Sequence, residues 1–584
     1  MPKHRTHRAV NPQRCLLACA ISLLALPGAQ AFEVDTGSED WAVRLDNTVK
    51  YNYGVRTESA DKRMLATPNN NDGDYNFRKA GTTVTNRVDL LTELDVIYQG
   101  NMGFRVSAAS WYDKAYDNTG SNSNPFVNGN GDTSGINPSL NGLPGTGTPL
   151  GSPHLSNYAQ RYYSGPSGEV LDAFVFMRTD IGENSQLSGK LGQHNLFWGE
   201  TLLNPVHSLS YGQSGLDLAK LAASPGTEAK ELFVPRNQLS TSLLVNPELT
   251  IGAQYFLDWN AARLPEAGTF YGGSDLVGEG AQSFLLGHTG TPGLIPVQGA
   301  LTSIRRGHDL TPDKRGDWGV MAKWSPEWLG GTLGFYYRKT SEILPQAWLD
   351  TRGLTVARGP FGNPPASFQG AVGNLYNSLQ TPTYQFAYAD NIDVYGLSLS
   401  KDVAGISVGS DLNIRHNMPL ASIPALVSAP GSGGLGGGFG LLPPRLPSSG
   451  VVYDVPEDGD GMSATGQTLH WTLNGLMTLG DTPLFDSATL LGELFYSNLL
   501  KLDGHNEALY KGKSSYRGID KPTRDNWGIA VNFTPTWYQV VPGVDLSMPL
   551  SINMGLDGVS PVQGGGAEDT GNYAVGVSAA VYNQ

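Results

Sequence analysis

The chain has 584 residues, a formal net charge of −14, 74 Gly, 37 Pro and 25 Tyr, and only 16% charged residues. The acidic balance weighs against a nucleic-acid partner, because neutralising phosphates needs basic surface. An aromatic content of 9% weighs against disorder, and the length exceeds the ~100–200 residues of an ordinary soluble domain while suiting a large all-β barrel.

Residues 1–31 have the form of a cleaved signal peptide. Lys3, Arg5, Arg8 and Arg14 precede an apolar core from Cys15 to Leu26. Pro27-Gly28 ends that core, and Ala29-Gln30-Ala31 is an A-x-A cleavage site. The core is shorter than the ~20 residues of a membrane-spanning helix. Leu16-Leu17-Ala18-Cys19 has the look of a lipoprotein box, but the apolar core continues past Cys19, which argues against lipidation. Cleavage removes both cysteines, Cys15 and Cys19. The mature chain, residues 32–584, then has no disulfide, no cysteine-bound zinc and no thiol nucleophile.

From Trp41 the chain alternates with a period of two. Trp41, Val43, Leu45, Val49, Tyr51 and Tyr53 share one face; Arg44, Asp46, Thr48, Lys50 and Asn52 share the other. The same pattern fills 84–98, with Val88, Leu90, Leu94 and Val96 opposite Arg87, Asp89, Glu93 and Asp95. Further stretches are Met102–Tyr112, Leu249–Trp259, Leu333–Lys339, Ile406–Arg415, Leu469–Leu479, Trp527–Phe533, Val544–Leu550 and Tyr573–Val581. Many are ~10 residues long, the length with which a tilted strand crosses a bilayer. Aromatic residues mark strand ends: Trp41, Tyr98, Tyr112, Trp259, Trp324, Trp328, Tyr388, Trp527 and Trp537. Two aromatic girdles are the mark of a membrane barrel.

Proline presets turns at Asn246–Leu249, Ser325–Trp328 and Thr534–Trp537, with Thr482–Phe485 a looser fourth case. Long polar connections follow at Asn118–Gln160, Pro265–Asp313, Ser341–Thr383 and Asn417–Gly466. Short turns on one rim and long loops on the other fit an outer-membrane barrel of roughly 14–18 antiparallel strands. One segment, 207–238, breaks the alternation. Leu216–Ala222 and Thr227–Leu232 are good helix formers with candidate caps at Ser214 and Thr227, and predict a short helical plug or rim constriction.

Local motifs give little chemistry. Gly405-Ile406-Ser407-Val408-Gly409 matches a nucleophile elbow, but Ser407 alternates along a strand. Gly431–Gly436 fits G-x-G-x-x-G inside a Gly/Pro tract with no following helix. Asn70–Asp74 and Asp458–Asp460 lack the spaced glutamate of a calcium loop. No metal site, cofactor site or catalytic set is expected. His194, Trp198 and Glu200 would share one face of a continuing strand, as an imidazole, an indole and a carboxylate in one row. Lys220, Glu228, Lys230, Glu231 and Arg236 are expected to pair with the inward Arg87, Asp89, Glu93 and Asp95. Arg87, Asp89, Glu93, His194, Trp198, Glu200, Lys220, Glu228, Lys230 and Glu231 are therefore the candidate lumen or cargo contacts.

Several blocks resemble the domain-of-unknown-function 1302 family of Gram-negative exported proteins. They are Leu45–Tyr51, Asn70–Phe77, Asn86–Leu90, Ala109–Asp113, Leu191–His194, Trp198–Glu200, Ser210–Ser214, Pro225–Leu232, Gln254–Phe256 and Pro265–Thr269. The resemblance implies an outer-membrane β-barrel, with an outer-membrane lipoprotein and an inner-membrane efflux-type transporter as partners. It also implies handling of hydrophobic small molecules of steroid, terpenoid or aromatic type. It carries no catalytic site. The expected function is an outer-membrane channel or transporter for such molecules. The alternatives are a general diffusion porin, an outer-membrane lipase-type enzyme and, more weakly, a surface scaffold. The chain ends at Tyr582-Asn583-Gln584 rather than on an aromatic residue, so either a divergent ending or missing closing strands is expected.

Overall fold

The computed structural model describes residues 18–21, 32–65, 70–117, 155–223, 229–278, 281, 283–287, 302–352, 383–427, 451–452 and 456–581. The main sheet has twenty strands, all antiparallel to their neighbours. Four are short flanking pieces: Ala18–Ile21, Phe32–Val34, Val544–Ser547 and Ser578–Val581. The other sixteen form the wall. They are β1 Trp41–Arg56, β2 Thr83–Tyr98, β3 Met102–Asp113 and β4 Ser167–Asp180. Then come β5 Gln186–His194, β6 Arg236–Asn246, β7 Leu249–Phe256 and β8 Trp318–Trp324. Next are β9 Gly331–Thr340, β10 Ile392–Val403, β11 Ile406–Pro419 and β12 Thr465–Leu479. Last are β13 Ser487–Leu502, β14 Asp525–Val541, β15 Leu550–Asp557 and β16 Gly571–Val575.

Each wall strand pairs with the next in sequence, so the chain runs up and down without crossing over. The turns after β2, β4, β6, β8, β10 and β12 are short, whereas the connections after β1, β3, β5, β7, β9, β11 and β13 are long. The two rims anticipated from the sequence are therefore real. Among the described residues, no pairing joins β1 to β16. The outer edge of β1 carries Ala18–Ile21 beside Tyr53–Arg56 and Phe32–Val34 beside Val43–Leu45. Cleavage after Ala31 would leave part of that edge bare.

The wall is polar inside and apolar outside. On β9, Phe335 is 46% exposed while Arg338, three residues on and on the opposite face, is fully buried. On β10 to β12, Leu397, Leu412 and Leu473 are exposed, whereas Ser398, Asp411, Asn413, Thr472 and Asn474 are buried. Alternation places these residues on opposite faces. A soluble sheet hides its apolar face; this one hides its charges.

Three turn and strand expectations need correction. Thr534–Trp537 is not a turn, because β14 runs through it and Pro535 pairs with Ala488. Pro535 sits where the other neighbour of β14 changes from β15 to Val544–Ser547, so its missing N–H breaks no regular ladder. The turn comes later, at Pro542-Gly543, where Gly543 takes a φ of +79°. Val544–Leu550 and Tyr573–Val581 are each split in two, at Pro549 and at Gly576.

The long connections also carry order that alternation alone does not reveal. Six short strands form a separate sheet: Ser283–Gly287, Thr302–Arg306, Gln346–Asp350, Thr383–Ala387, Ala425–Val427 and Val451–Val452. Trp348, Ala387, Ile423, Ala425 and Val427 bury one another there. Trp259 and Tyr388, expected at a membrane rim, pack edge-to-face in this loop layer at 4.9 Å. Most of Asn118–Gln160, and Gly431–Gly436, lie outside the described residues.

Candidate functional site

Residues 195–216, between β5 and β6, turn inward and lie as a strap across the inner face of the wall. The row expected through Glu200 does not form, because β5 ends at His194. His194 remains a wall residue: its Nδ1 lies 3.0 Å from Gly192 O and its Nε2 2.7 Å from Ser240 Oγ. Trp198 and Glu200 belong to the strap. Trp198 is buried against Tyr336.

Two inward carboxylates hold the deepest part of the strap by its backbone. Asp411 accepts from the N–H groups of Glu200 and Thr201, at 2.9 and 3.0 Å, and from Thr201 Oγ at 2.6 Å. Glu493 accepts from the N–H groups of Leu202, Leu203 and Asn204, at 2.7, 3.1 and 2.7 Å. Five consecutive backbone donors thus end on two carboxylates. Hydrogen bonds to an ionised acceptor are roughly twice as strong as neutral ones. Gly199 enters the clamp with a φ of +93°, and a Cβ there would sit 2.4 Å from Asp411 Oδ2. Glu200 lies half-buried, which raises its pKa, and Lys323 at 3.7 Å opposes that shift.

The returning limb is held by arginines instead. Arg415 donates to Ser208 O at 2.9 Å. Arg338 donates to Leu209 O and Tyr211 O at 2.8 and 2.7 Å, and Arg236 to Gly212 O at 2.9 Å. Leu209 is fully buried and seats over Gly396 of β10, where a Cβ would lie 1.9 Å from its Cδ2. Gln213 ties the two limbs together: its Oε1 accepts from Trp198 N at 3.0 Å, and its Nε2 donates to Gln254 at 2.8 Å.

At the 3₁₀ turn Pro205–His207, the imidazole of His207 is sealed in. Its Nε2 donates to Gly565 O at 2.9 Å, so its Nδ1 accepts from His470 Nδ1 at 2.9 Å. That tautomer assignment follows from the hydrogen-bond partners. Burial pushes the His207 pKa from its ordinary 6.5 down to about 4, with nearby Arg415 adding to the effect. The unfolded or released imidazole takes a proton below pH 6.5, and the seated one only near pH 4. Seating is therefore fully favoured above pH 6.5 and weakens as pH falls from 6.5 to 4. At pH 5 the expected loss is about 2 kcal/mol. Amide exchange of Val206–Tyr211 should speed up between pH 7 and pH 5 after correction for intrinsic rates. A flat profile would contradict this account.

Among the described residues, the helical parts of the insert are Leu218–Ala223 and Ala229–Leu232, and the expected cap Thr227 lies outside those residues. Ser214 is not a cap, since its hydroxyl donates to Asn195. Asp217 takes that role, accepting from Lys220 N at 2.7 Å. Lys220 pairs with Glu169 of β4 at 2.7 Å and lies over Trp111 of β3 at 5.2 Å. Glu231 pairs with Lys50 of β1. Strap and helices together touch β1, β3 and β4 as well as β6 to β13, so the wall curves around them.

Among the described residues, Lys220, Glu231 and Arg236 of the insert pair with Glu169, Lys50 and Asp317 rather than with Arg87, Asp89, Glu93 or Asp95. Those wall charges are already matched: Arg87 with Asp89 at 2.7 Å, and Arg105 with Glu93 and, at 2.9 Å, with Asp95. Arg236 pairs with Asp317 at 2.9 Å instead. Glu228 and the side chain of Lys230 lie outside the described residues. The sequence reading missed Asp411, Glu493, Arg338, Arg415, His207 and His470. The available signal was the inward glycines of three strands, Gly319, Gly396 and Gly409, which mark close approach of another segment. Ser407 lies within β11, opposite Asp402 and Leu476, rather than at a strand-to-helix turn. Asp275 accepts from Asn71 N at 2.8 Å, so a carboxylate holds the Asn70–Asp74 turn. Among the described residues, no group of three or more His, Cys, Asp or Glu could hold a metal ion.

A family model described as "Protein of unknown function (DUF1302)" matches residues 13–584. No curated protein matches. Among solved structures, the chain is similar to Pseudomonas putida OprB at high pH, with 12% identity over 92% of this chain and 93% of that one, at a TM-score of 0.34. The outer membrane channel DcaP of Acinetobacter baumannii matches at 8% identity over 94% and 99%, with a TM-score of 0.34. Pseudomonas aeruginosa OccK2 (OpdF) matches at 10% identity over 94% and 99%, with a TM-score of 0.31.

Proposed function

The chain belongs to the DUF1302 family, and we propose that it is an outer-membrane channel whose lumen is narrowed by the strap 195–216 and whose cargo is hydrophobic small molecules. The observation that carries this reading is the clamp. A wall with its charges turned inward spends Asp411, Glu493, Arg338 and Arg415 on holding a chain segment across its own interior.

Outer-membrane placement is supported by the exposed apolar face and its aromatic ends. Trp41 packs against Tyr98 in a tilted contact, and Trp324 edge-on to Trp328, at the short-turn rim. Trp318, Tyr337 and Tyr395 pack in a row through edge-on and tilted contacts at the opposite rim. The run from Met102 to Tyr112 covers about 33 Å along β3, or roughly 25 Å along the bilayer normal at a tilt of ~40°, which matches the apolar band of such barrels. Export by a leader over residues 1–31, with an outer-membrane lipoprotein and an inner-membrane efflux-type transporter as partners, belongs to the same proposal.

The test is single-channel conductance of residues 32–584 refolded into a planar bilayer, with heat-modifiable gel mobility as the folding control. The narrowed channel gives small or silent currents. A large, steady conductance would overturn it in favour of the general diffusion porin, the second reading, which the polar inner face supports. Hydrolysis of esters or phospholipids by the refolded protein would favour the lipase-type reading instead.

A further inference from the structure

Beside the strap, on the inner face of β2 to β5, lies a cavity of about 460 Å³. One side is aromatic. Phe174 and Phe176 project from β4, and Phe197 faces them from the strap, 43% exposed although it points into the interior. Phe197 is braced from behind by Phe233 at 4.5 Å. The other side is charged. Asp95 and Asp172 line it, and both are turned onto Arg105, at 2.9 and 3.3 Å. Glu93 completes the set around that guanidinium.

Lys190 of β5 is different. Its ammonium lies 5.0 Å from the Phe174 ring, at the cavity edge, and among the described residues it has no carboxylate partner. His194, also in the lining, already has both ring nitrogens engaged. Among the described residues, the cavity therefore offers a bed of aromatic faces, the available cation of Lys190 and an acidic far wall whose guanidinium is already taken.

We infer that this cavity binds an amphipathic organic anion with a flat apolar body and a single carboxylate, its rings on Phe174, Phe176 and Phe197 and its carboxylate on Lys190. Aromatic faces favour flat apolar bodies. An ammonium offers a carboxylate a charge-assisted hydrogen bond. Asp95 and Asp172, which share Arg105, repel a second negative charge, so a dicarboxylate of the same body binds less well. This inference rests on the channel reading and names the class of its cargo.

The test uses residues 32–584 refolded in an uncharged detergent at pH 8, with calorimetric titration of 2-naphthoate, 2-naphthylmethanol and naphthalene-2,6-dicarboxylate. 2-Naphthoate is expected to bind about tenfold tighter than either of the others. Lys190→Gln abolishes the preference over the alcohol, Lys190→Arg keeps it, and Phe197→Ala weakens all three. Equal affinity for acid and alcohol, a preference that survives Lys190→Gln, or no binding of any probe would each overturn it. Bilayer currents are read separately. A protein that binds naphthoate but carries neither ions nor naphthoate across a membrane keeps this site and loses the channel reading.

Discussion

The double variant Asp411→Ala/Glu493→Ala is expected to raise single-channel conductance several-fold while leaving the barrel folded. Each carboxylate sits on an inner strand face and faces the backbone of the strap. Losing one leaves two or three buried N–H groups without an acceptor. The cost is about 3 kcal/mol per site, and 1.4 kcal/mol is tenfold in the seated-to-released equilibrium. The double loss outweighs what the arginine-held limb can restore alone. Strand pairing of β11 and β13 does not involve these side chains, so the wall itself should be spared. Asp411→Asn should have a smaller effect, because its amide keeps one acceptor oxygen. Unchanged current from a double variant with native gel mobility would show that the strap does not limit the path.

The second large effect is expected on the outside. Leu397 lies midway along β10, beside Phe335 of β9, and both side chains are exposed. Leu397→Arg should destabilise the protein refolded into lipid vesicles by about 2–4 kcal/mol, the cost of such a charge at the bilayer midplane. Trp324→Arg, at the short-turn rim, should cost only about 0–1 kcal/mol. Urea titrations of both variants in vesicles give the comparison. Equal losses at the two depths would remove the bilayer from the explanation.

Part of this architecture was legible in the chain because a strand declares its two faces locally. Val88 and Leu90 beside Arg87 and Asp89 need no tertiary information to be sorted, and the structure places them as the alternation says. The turns at Pro247, Pro326 and Pro483 were equally local, since proline fixes the chain at its own position. Pro535 shows the limit. The same residue serves a turn or a strand irregularity, and only the change of neighbour beside β14 decides between them.

The candidate site was less legible for the same reason. One continuing strand was expected to carry both His194 and Trp198, yet the strand ends at His194 and Trp198 lies in the strap. Asp411 and Glu493 look like any inward carboxylate of a polar lumen, and their partners lie more than 200 residues earlier. Arg338 and Arg415 bind carbonyl oxygens, which every residue carries and no sequence pattern marks.

The sequence by itself determined the period of two, the sidedness of each strand and the two unequal rims, because these follow from residue chemistry within ~10 positions. Tertiary structure alone decided that residues 195–216 lie across the interior and which wall charges hold them. Those contacts join backbone groups to side chains far apart in the chain, and they exist only once the wall has curved around the strap.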